Sequence, residues 1–142
     1  MRGPEEHRVE LGPALGAFLD APRFAVLATK NADGSAHLTV IWYERDGAEI
    51  LMNTRAGRVK DRNLRRDPRF ALCVEDGYRF VSLNGVATTR DADQARAEAD
   101  ILRLGIRYDG QKEAERQTRE LWSTQARVTY RLRIERILAV GF

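Results

Sequence analysis

FAVLATKNADGSAHLTVIWY, residues 24–43, carries the strongest secondary-structure signal in the chain. An apolar run of strand length, Phe24–Thr29, leads into Asn31-Ala32-Asp33-Gly34. Asp-Gly is typical of a hairpin turn, because these residues tolerate positive φ. The run His37–Tyr43 that follows is rich in β-branched and aromatic residues. The pattern predicts two antiparallel strands joined by a tight turn.

The same alternation of strand and turn continues on the C-terminal side. Arg45-Asp46-Gly47 predicts a second turn, and Glu49–Thr54 a third strand of an antiparallel meander. Gly57–Arg66 lacks strand alternation and predicts a short helix that Asp67-Pro68 ends, since the residue before proline avoids helical geometry.

The second half of the chain adds more strands and two helices. Strands are predicted at Arg69–Glu75 and Tyr78–Thr89, around a turn at Asp76-Gly77, and at Arg127–Glu135, where Val128, Tyr130, Leu132 and Ile134 share one face. Ile137–Val140 predicts a last short strand. Asp91 is expected to cap a helix that runs to about Leu104, with Ala95, Ala99 and Leu102 on one side. The charged helix Gln111–Trp122 is expected to lie on the surface or against a partner.

Before the first strand, a short amphipathic helix is predicted over Leu11–Asp20, after a loose arm at residues 1–10. The expected fold is therefore mainly β, an antiparallel barrel of about six strands with peripheral helices. The 142 residues suit one domain, 1–142, with its own core.

The composition, 43% hydrophobic and 32% charged, is that of a soluble globular protein. No apolar run approaches the roughly 20 residues that cross a membrane, and the first residues lack a secretory signal. A cytoplasmic location without membrane contact is the expectation. His7 and His37 are far apart, so no local metal site is predicted. Cys73 lies in an apolar run and is expected to be a buried small side chain rather than a nucleophile.

The net charge of +3 conceals an uneven distribution. Residues 55–69 hold seven basic side chains against two acids, a sum of +5, which leaves −2 for the remainder. The basic side chains are Arg55, Arg58, Lys60, Arg62, Arg65, Arg66 and Arg69. Nucleic-acid binding is not expected, because the chain is not broadly basic. The distribution predicts one local cationic site.

Convergent Arg and Lys side chains are what a phosphate group requires. In the predicted helix Arg58 and Arg62 lie one turn apart, and Lys60 shares a side with Leu64 so that it can lean over the sheet. Asn53 and Thr54 offer neutral donors at the preceding strand end. On spacing alone, a solvated basic helix with surface ion pairs is an equally good interpretation.

The surrounding sequence resembles a known family. The motifs that carry the likeness are Ala28-Thr29, Asp33-Gly34, Val40-Ile41-Trp42-Tyr43, Asn53-Thr54-Arg55 and Lys60-Asp61-Arg62-Asn63-Leu64-Arg65-Arg66-Asp67-Pro68-Arg69. They are similar to the pyridoxamine-5′-phosphate-oxidase-like flavin-binding split barrels, and more narrowly to the branch that binds the deazaflavin coenzyme F420. The likeness runs from about Leu15 to Ala87, and Arg127–Ile137 resembles the closing strand.

That resemblance implies a split-barrel homodimer with two cofactor sites at its interface. The ring would lie along Thr39, Val40, Ile41 and Trp42, and the phosphate along Asn53, Thr54, Arg58, Lys60, Arg62 and Asn63. The partner subunit would contribute near Tyr78 and Arg79. Alternatives stay open: Asn63 as a brace of its own helix, one of Trp42 and Tyr43 as core, and Arg65, Arg66 and Arg69 as fold or dimer contacts.

The function implied is an F420-dependent reductase acting on a small unsaturated or conjugated molecule, with Asp91–Thr124 forming a substrate-side wall or lid. The alternatives are an FMN-dependent oxidase or reductase of the same fold, and a non-catalytic protein that binds flavin, F420 or haem. No catalytic nucleophile is expected, since the cofactor would carry the hydride chemistry. No glycine-rich dinucleotide motif occurs, so NAD(P)H is not expected as a tightly held cofactor.

Overall fold

A computed structural model describes residues 9–142, so most of the predicted N-terminal arm, with His7, lies outside the described residues. The strands are β1 Ala25–Lys30, β2 Ala36–Ile41, β3 Glu44–Asp46, β4 Glu49–Arg55, β5 Arg69–Glu75, β6 Phe80–Asp91 and β7 Arg127–Val140. The helices are α1 Pro13–Asp20, α2 Val59–Arg66, α3 Gln94–Asp109 and α4 Gln111–Glu120, and a 3-10 turn spans Trp122–Thr124.

All seven strands form one antiparallel sheet in the order β2-β1-β5-β6-β7-β4-β3. The two edge strands, β2 and β3, are consecutive in the chain, and only Trp42 and Tyr43 link them. Because an extended chain spans at most about 3.6 Å per residue, this link holds the two edges close together. The sheet is therefore curled into an antiparallel half-barrel, in agreement with the predicted fold class.

The predicted meander is half right. β1 and β2 form the expected hairpin, with Val26 opposite Val40, and Gly34 adopts a φ of 90° in its turn. The third predicted strand, β4, does not pair with β2 but with β3 and β7. The turn at Gly47 joins β4 to the short strand Glu44–Asp46, which was not predicted as a separate element.

The count of seven strands differs from the six expected for a related reason. Glu44–Asp46 adds a seventh strand to the six expected, and Ile137–Val140 adds none because it continues β7. β6 is 12 residues long and pairs with β7 up to Phe80, which lies opposite Val140. A glycine is required in β6, because a Cβ on Gly85 would lie 1.8 Å from the carbonyl oxygen of Arg133.

The core fills the inside of the curled sheet. Its largest fully buried side chains include Tyr43, Tyr130, Leu19, Leu27, Ile50, Met52, Leu72, Leu83, Leu132 and Ile134. Tyr43 donates its hydroxyl to the carbonyl of Leu19 at 2.8 Å, which ties α1 to the link between the edge strands. Of Trp42 and Tyr43, it is Tyr43 that belongs to the core. No helix in residues 9–142 is long and apolar enough to cross a membrane.

The first helix after β6 begins later than predicted. Its cap is Asp93, whose side chain accepts from the backbone N–H of Arg96 at 3.0 Å, while Asp91 still belongs to β6. The predicted apolar side is wrong: Ala95 and Ala99 are exposed and Leu102 is half-buried. The buried face consists of Ala97, Ile101, Leu104 and Gly105. It includes two large aliphatic side chains and so removes more apolar area from water.

Two further expectations have clear outcomes. α4 buries only Ala114, so the charged second helix lies on the surface as predicted. Cys73 is half-buried rather than buried, because strand alternation directs Leu72 and Val74 inward and Cys73 to the opposite face of the sheet.

Candidate functional site

A groove of about 360 Å³ opens where the end of β2, the end of β4, the start of α2 and the start of β7 meet the helical segment 94–125. Its lining residues are Val40, Ile41, Trp42, Asn53, Thr54, Arg55, Arg58, Lys60, Ile101, Gln117, Leu121, Trp122, Gln125 and Arg127. One part of this lining is cationic and another is apolar and aromatic.

The cationic part consists of Arg55, Arg58, Lys60 and Arg127, and no carboxylate lines the groove beside them. Arg55 and Arg127 are direct cross-strand partners of β4 and β7, a pairing that like charges disfavour. Within the part of the chain that the structure describes, none of the four forms a salt bridge. The cluster is therefore short of negative charge.

Burial and mutual repulsion within this cluster lower the pKa of two of its members, Arg127 and Lys60. Burial, with Arg58 and Arg55 close by, lowers the pKa of Arg127 to about 10. Burial, Arg58 and Arg127 also lower the pKa of Lys60 below its usual value. Arg127 is only 9% exposed, so water screens its charge poorly. An anion in the groove would relieve both groups.

A buried acid holds the start of α2 in place. Asp61 is fully buried and accepts from the Arg90 guanidinium at 2.9 Å, the backbone N–H of Gly57 at 2.8 Å and the Tyr130 hydroxyl at 2.5 Å. Burial alone would raise the pKa of Asp61, but these bonds, led by that of Arg90, lower it to about 2. The first turn of α2, whose N–H groups favour anions, is thereby fixed beside the groove.

Arg127 is itself held from two sides. Its Nε donates to Asn53 Oδ1 at 2.8 Å and its Nη1 to Gln125 Oε1 at 2.6 Å. The side chain of Gln94 clamps its backbone, accepting from the N–H at 2.9 Å and donating to the carbonyl at 3.0 Å. The guanidinium is thus presented to the groove in one fixed pose.

Aromatic side chains build the other part of the lining. Trp42 stacks on Tyr108 with ring centroids 5.2 Å apart, and meets Trp122 edge-on at 6.1 Å. Trp122 sits directly on Gly105, where a Cβ would approach its ring to 2.7 Å. Glycine in the middle of α3 therefore allows the 3-10 turn to bring Trp122 to the groove.

Seven of the twelve residues expected in the site line the groove: Val40, Ile41, Trp42, Asn53, Thr54, Arg58 and Lys60. Thr39 does not, because it faces the inside of the sheet with its neighbour Leu27; its Oγ1 is buried without a hydrogen-bond partner in the described chain. Arg62 is exposed on α2, beyond the lining.

Asn63 is committed to the fold. It donates to Thr29 Oγ1 at 3.1 Å and Asn31 Oδ1 at 2.9 Å, and accepts from Arg66. These bonds hold α2 against β1, which agrees with the alternative that Asn63 braces its own helix.

Tyr78 and Arg79 lie outside the groove of their own chain. Tyr78 is 93% exposed, whereas Arg79 pairs with Asp76 at 2.8 Å and lies over the Phe18 ring at 4.8 Å. Their contribution to a second subunit's site stays a prediction.

Several lining residues come from distant segments and are not among the predicted site residues. Arg127 begins the predicted strand Arg127–Glu135, and Trp122 ends the predicted surface helix Gln111–Trp122. Arg55 lies in the basic stretch 55–69 but is not among the predicted site residues. The strand alternates and also carries Arg131 and Arg133, so no local signal distinguishes Arg127 from them.

The curled antiparallel half-barrel sheet is the kind of fold found in split-barrel proteins. Over residues 11–140 the sequence matches the pyridoxamine 5′-phosphate oxidase family, and the chain belongs to that family. An F420 reductase shares the fold with a TM-score of 0.74 and 24% identity, covering 90% of this chain and 98% of that one.

Two other solved structures extend the comparison. A conserved hypothetical protein of Mycobacterium tuberculosis is 30% identical, with a TM-score of 0.76, over 94% of this chain and 86% of its own. HutZ, a heme storage protein of Vibrio cholerae, is 17% identical with a TM-score of 0.69, over 94% of this chain and 97% of its own. At such low identity HutZ and the F420 reductase show a shared fold.

Proposed function

We propose that the protein is an oxidoreductase that binds the deazaflavin coenzyme F420 and reduces a small unsaturated or conjugated molecule. The observation that carries the proposal is the meeting of Arg55, Arg58, Lys60 and Arg127 in a groove lined by no carboxylate. The family match and the F420 reductase of the same fold support the choice of cofactor class.

The residues present fit a phosphate-bearing cofactor. Four cations at the groove supply several charge-assisted donors, and burial together with the neighbouring cations lowers the pKa of both Lys60 and Arg127. F420 carries an internal phosphodiester and an acidic tail, whereas FMN ends in a single phosphate. Arg62 and Arg65 continue along exposed positions of α2, which favours the longer anion.

The remaining lining suits the ring system and its acceptor. When bound, F420 would supply the hydride from its own ring carbon. Val40, Ile41 and Trp42 would face the ring, partly through backbone groups, while Ile101, Leu121 and Trp122 would exclude water from the opposite side. These side chains carry no titratable acid or nucleophile, so their task is to position the acceptor.

A homodimer completes the proposal. Apolar side chains are exposed on the outer face of the sheet, which is formed by β2, β1, β5, β6 and the end of β7. They are Val26, Leu38, Val40, Leu138 and Val140, and their contact with water is unfavourable. Val40 belongs both to this face and to the groove. A second copy on this face would therefore cover the apolar surface and close one side of the site.

The test is titration of the purified apoprotein with F420 and with FMN, followed by fluorescence, and then turnover with reduced F420 and candidate acceptors. Micromolar F420 binding with hydride transfer is the expected result. FMN binding without F420 binding would replace the proposal by an FMN-dependent enzyme. F420 binding without turnover on any acceptor would indicate a cofactor carrier.

Haem is the remaining ligand to exclude. The groove is lined by no His, Cys, Met or Tyr, which are the usual axial ligands of haem iron. Haem should therefore give no Soret shift on titration, and a stable one-to-one haem complex would contradict this assignment.

A further inference from the structure

Asn53 lines the groove but is not free to bind a cofactor. Its Nδ2 donates both protons, to the carbonyl of Ala97 at 2.9 Å and to Thr129 Oγ1 at 3.0 Å. Its Oδ1 accepts from Nε of Arg127 at 2.8 Å. The opposite orientation of the amide would set oxygen against oxygen at Ala97 and donor against donor at Arg127, so the network allows one orientation only.

Thr129 continues this network away from the groove. It is the cross-strand partner of Asn53 and donates its single hydroxyl proton to Asp100 Oδ2 at 2.7 Å. Its oxygen therefore acts as the acceptor for Asn53. Asp100 in turn accepts from Arg103 of the same helix at 3.0 Å. Every bond between the carboxylate and the guanidinium of Arg127 has its donor on the groove side.

We infer that a hydrogen-bonded chain from Asp100 through Thr129 and Asn53 positions the buried guanidinium that lines the groove. The inference rests on the proposed function, since it explains how the groove stays ready for an anion. A carboxylate in direct contact with Arg127 would compete with a phosphate. A carboxylate two groups away supports the cation through aligned dipoles and leaves the remaining donors of Arg127 for the ligand.

The same chain ties the cationic cluster to α3. Asn53 binds Ala97 and Thr129 binds Asp100, both on α3, and Ile101 of that helix lines the groove. Three buried or half-buried polar side chains, Asn53, Thr129 and Asp100, thus fix α3 to the cationic cluster. In the proposed function α3 forms the wall beside the acceptor, and the cluster binds the phosphate. Asn53 and Thr129 are positioning residues, and neither donates to the ligand.

The test is Thr129→Val, which keeps the size and branching of the side chain but removes the hydroxyl, with Thr129→Ser as the matched control. Titration calorimetry with inorganic pyrophosphate should show about fivefold weaker binding for Thr129→Val, the loss of one hydrogen bond of ordinary strength. Thr129→Ser should bind like the wild type. In an Arg127→Met background Thr129→Val should have no further effect.

A ligand-free readout separates this inference from the proposed function. The Nε–H resonance of Arg127, assigned by its loss in Arg127→Met, should be slow to exchange in the apoprotein and should shift and exchange faster in Thr129→Val. An unchanged resonance, or weaker binding that persists in Arg127→Met, would overturn the inference. If the wild-type protein binds no pyrophosphate, the proposed phosphate site is wrong. The Nε–H resonance of Arg127 then still tests whether the hydrogen-bonded chain positions the guanidinium.

Discussion

Arg127→Met should stabilise the free protein and weaken its ligand binding. The pKa of Arg127, about 10, means that burial and its cationic neighbours oppose the charge. At about 1.4 kcal/mol per pKa unit, the charged guanidinium is destabilised by about 3 kcal/mol relative to a solvated one. The unfolded chain does not carry this penalty, so it is present at all pH values below about 10.

The substitution also removes two hydrogen bonds, to Asn53 and Gln125, worth about 1 kcal/mol each. Methionine retains most of the apolar stem. The net gain is therefore about 1 kcal/mol, or a rise of about 2–4 °C in Tm for a chain of this size. Losing a charge-assisted donor should at the same time weaken pyrophosphate binding about 10- to 100-fold.

The assay is thermal unfolding followed by circular dichroism, with and without pyrophosphate, alongside calorimetric titration. Arg119→Met is the control, because Arg119 is exposed on α4 and does not line the groove. The opposite signs of the two effects are diagnostic. A lower Tm for the free variant together with unchanged affinity would refute the account of Arg127 as an unneutralised, ligand-binding cation.

Further outcomes follow from the same structure. Because burial lowers the pKa of Lys60, anion affinity measured by calorimetry should begin to fall below the pH range in which an ordinary lysine loses its proton, and Lys60→Gln should flatten that fall; an unchanged profile would exclude Lys60 from the site. Asp61→Asn should cost about 3 kcal/mol or more in urea unfolding, because Arg90 loses its buried partner. The native pKa of Asp61, about 2, lies below its unfolded value, so this contribution is complete above about pH 5 and is lost as the pH falls toward 2; a pH-independent difference between the two proteins would contradict it. Val26→Lys should convert a dimer to a monomer in analytical ultracentrifugation, whereas Lys112→Glu on α4 should not, and a wild-type monomer would remove the proposed interface.

Local signals were sufficient for most individual elements. The Asp-Gly turn at Gly34, the proline after Asp67 and the alternation from Val128 to Ile134 each depend on a few neighbouring residues, and the corresponding elements are present. Strand pairing was harder. Whether β4 pairs with β2 or with β7 depends on the curl of the whole sheet, and no residue near Gly47 encodes that choice.

In the site as well, some residues could be predicted from their neighbours in sequence and others depend on the fold. Lys60 and Arg58 were found because they stand together in a basic stretch with an apolar residue one turn away. Arg127 and Trp122 were not, because they reach the groove through the register of β7 on β4 and through the space left by Gly105. Asn53 was found, but its role differs from that expected: only the contacts with Ala97 and Thr129 reveal that its donors are already used.

A crystal structure of the protein with F420 would test the central claim most directly. The account predicts the phosphodiester in the groove, within hydrogen-bonding distance of Arg127 and Lys60, with the ring against Val40 and Trp42. A phosphate bound elsewhere, for example on the exposed Arg62 side of α2, with Arg127 still free of any anion, would contradict it.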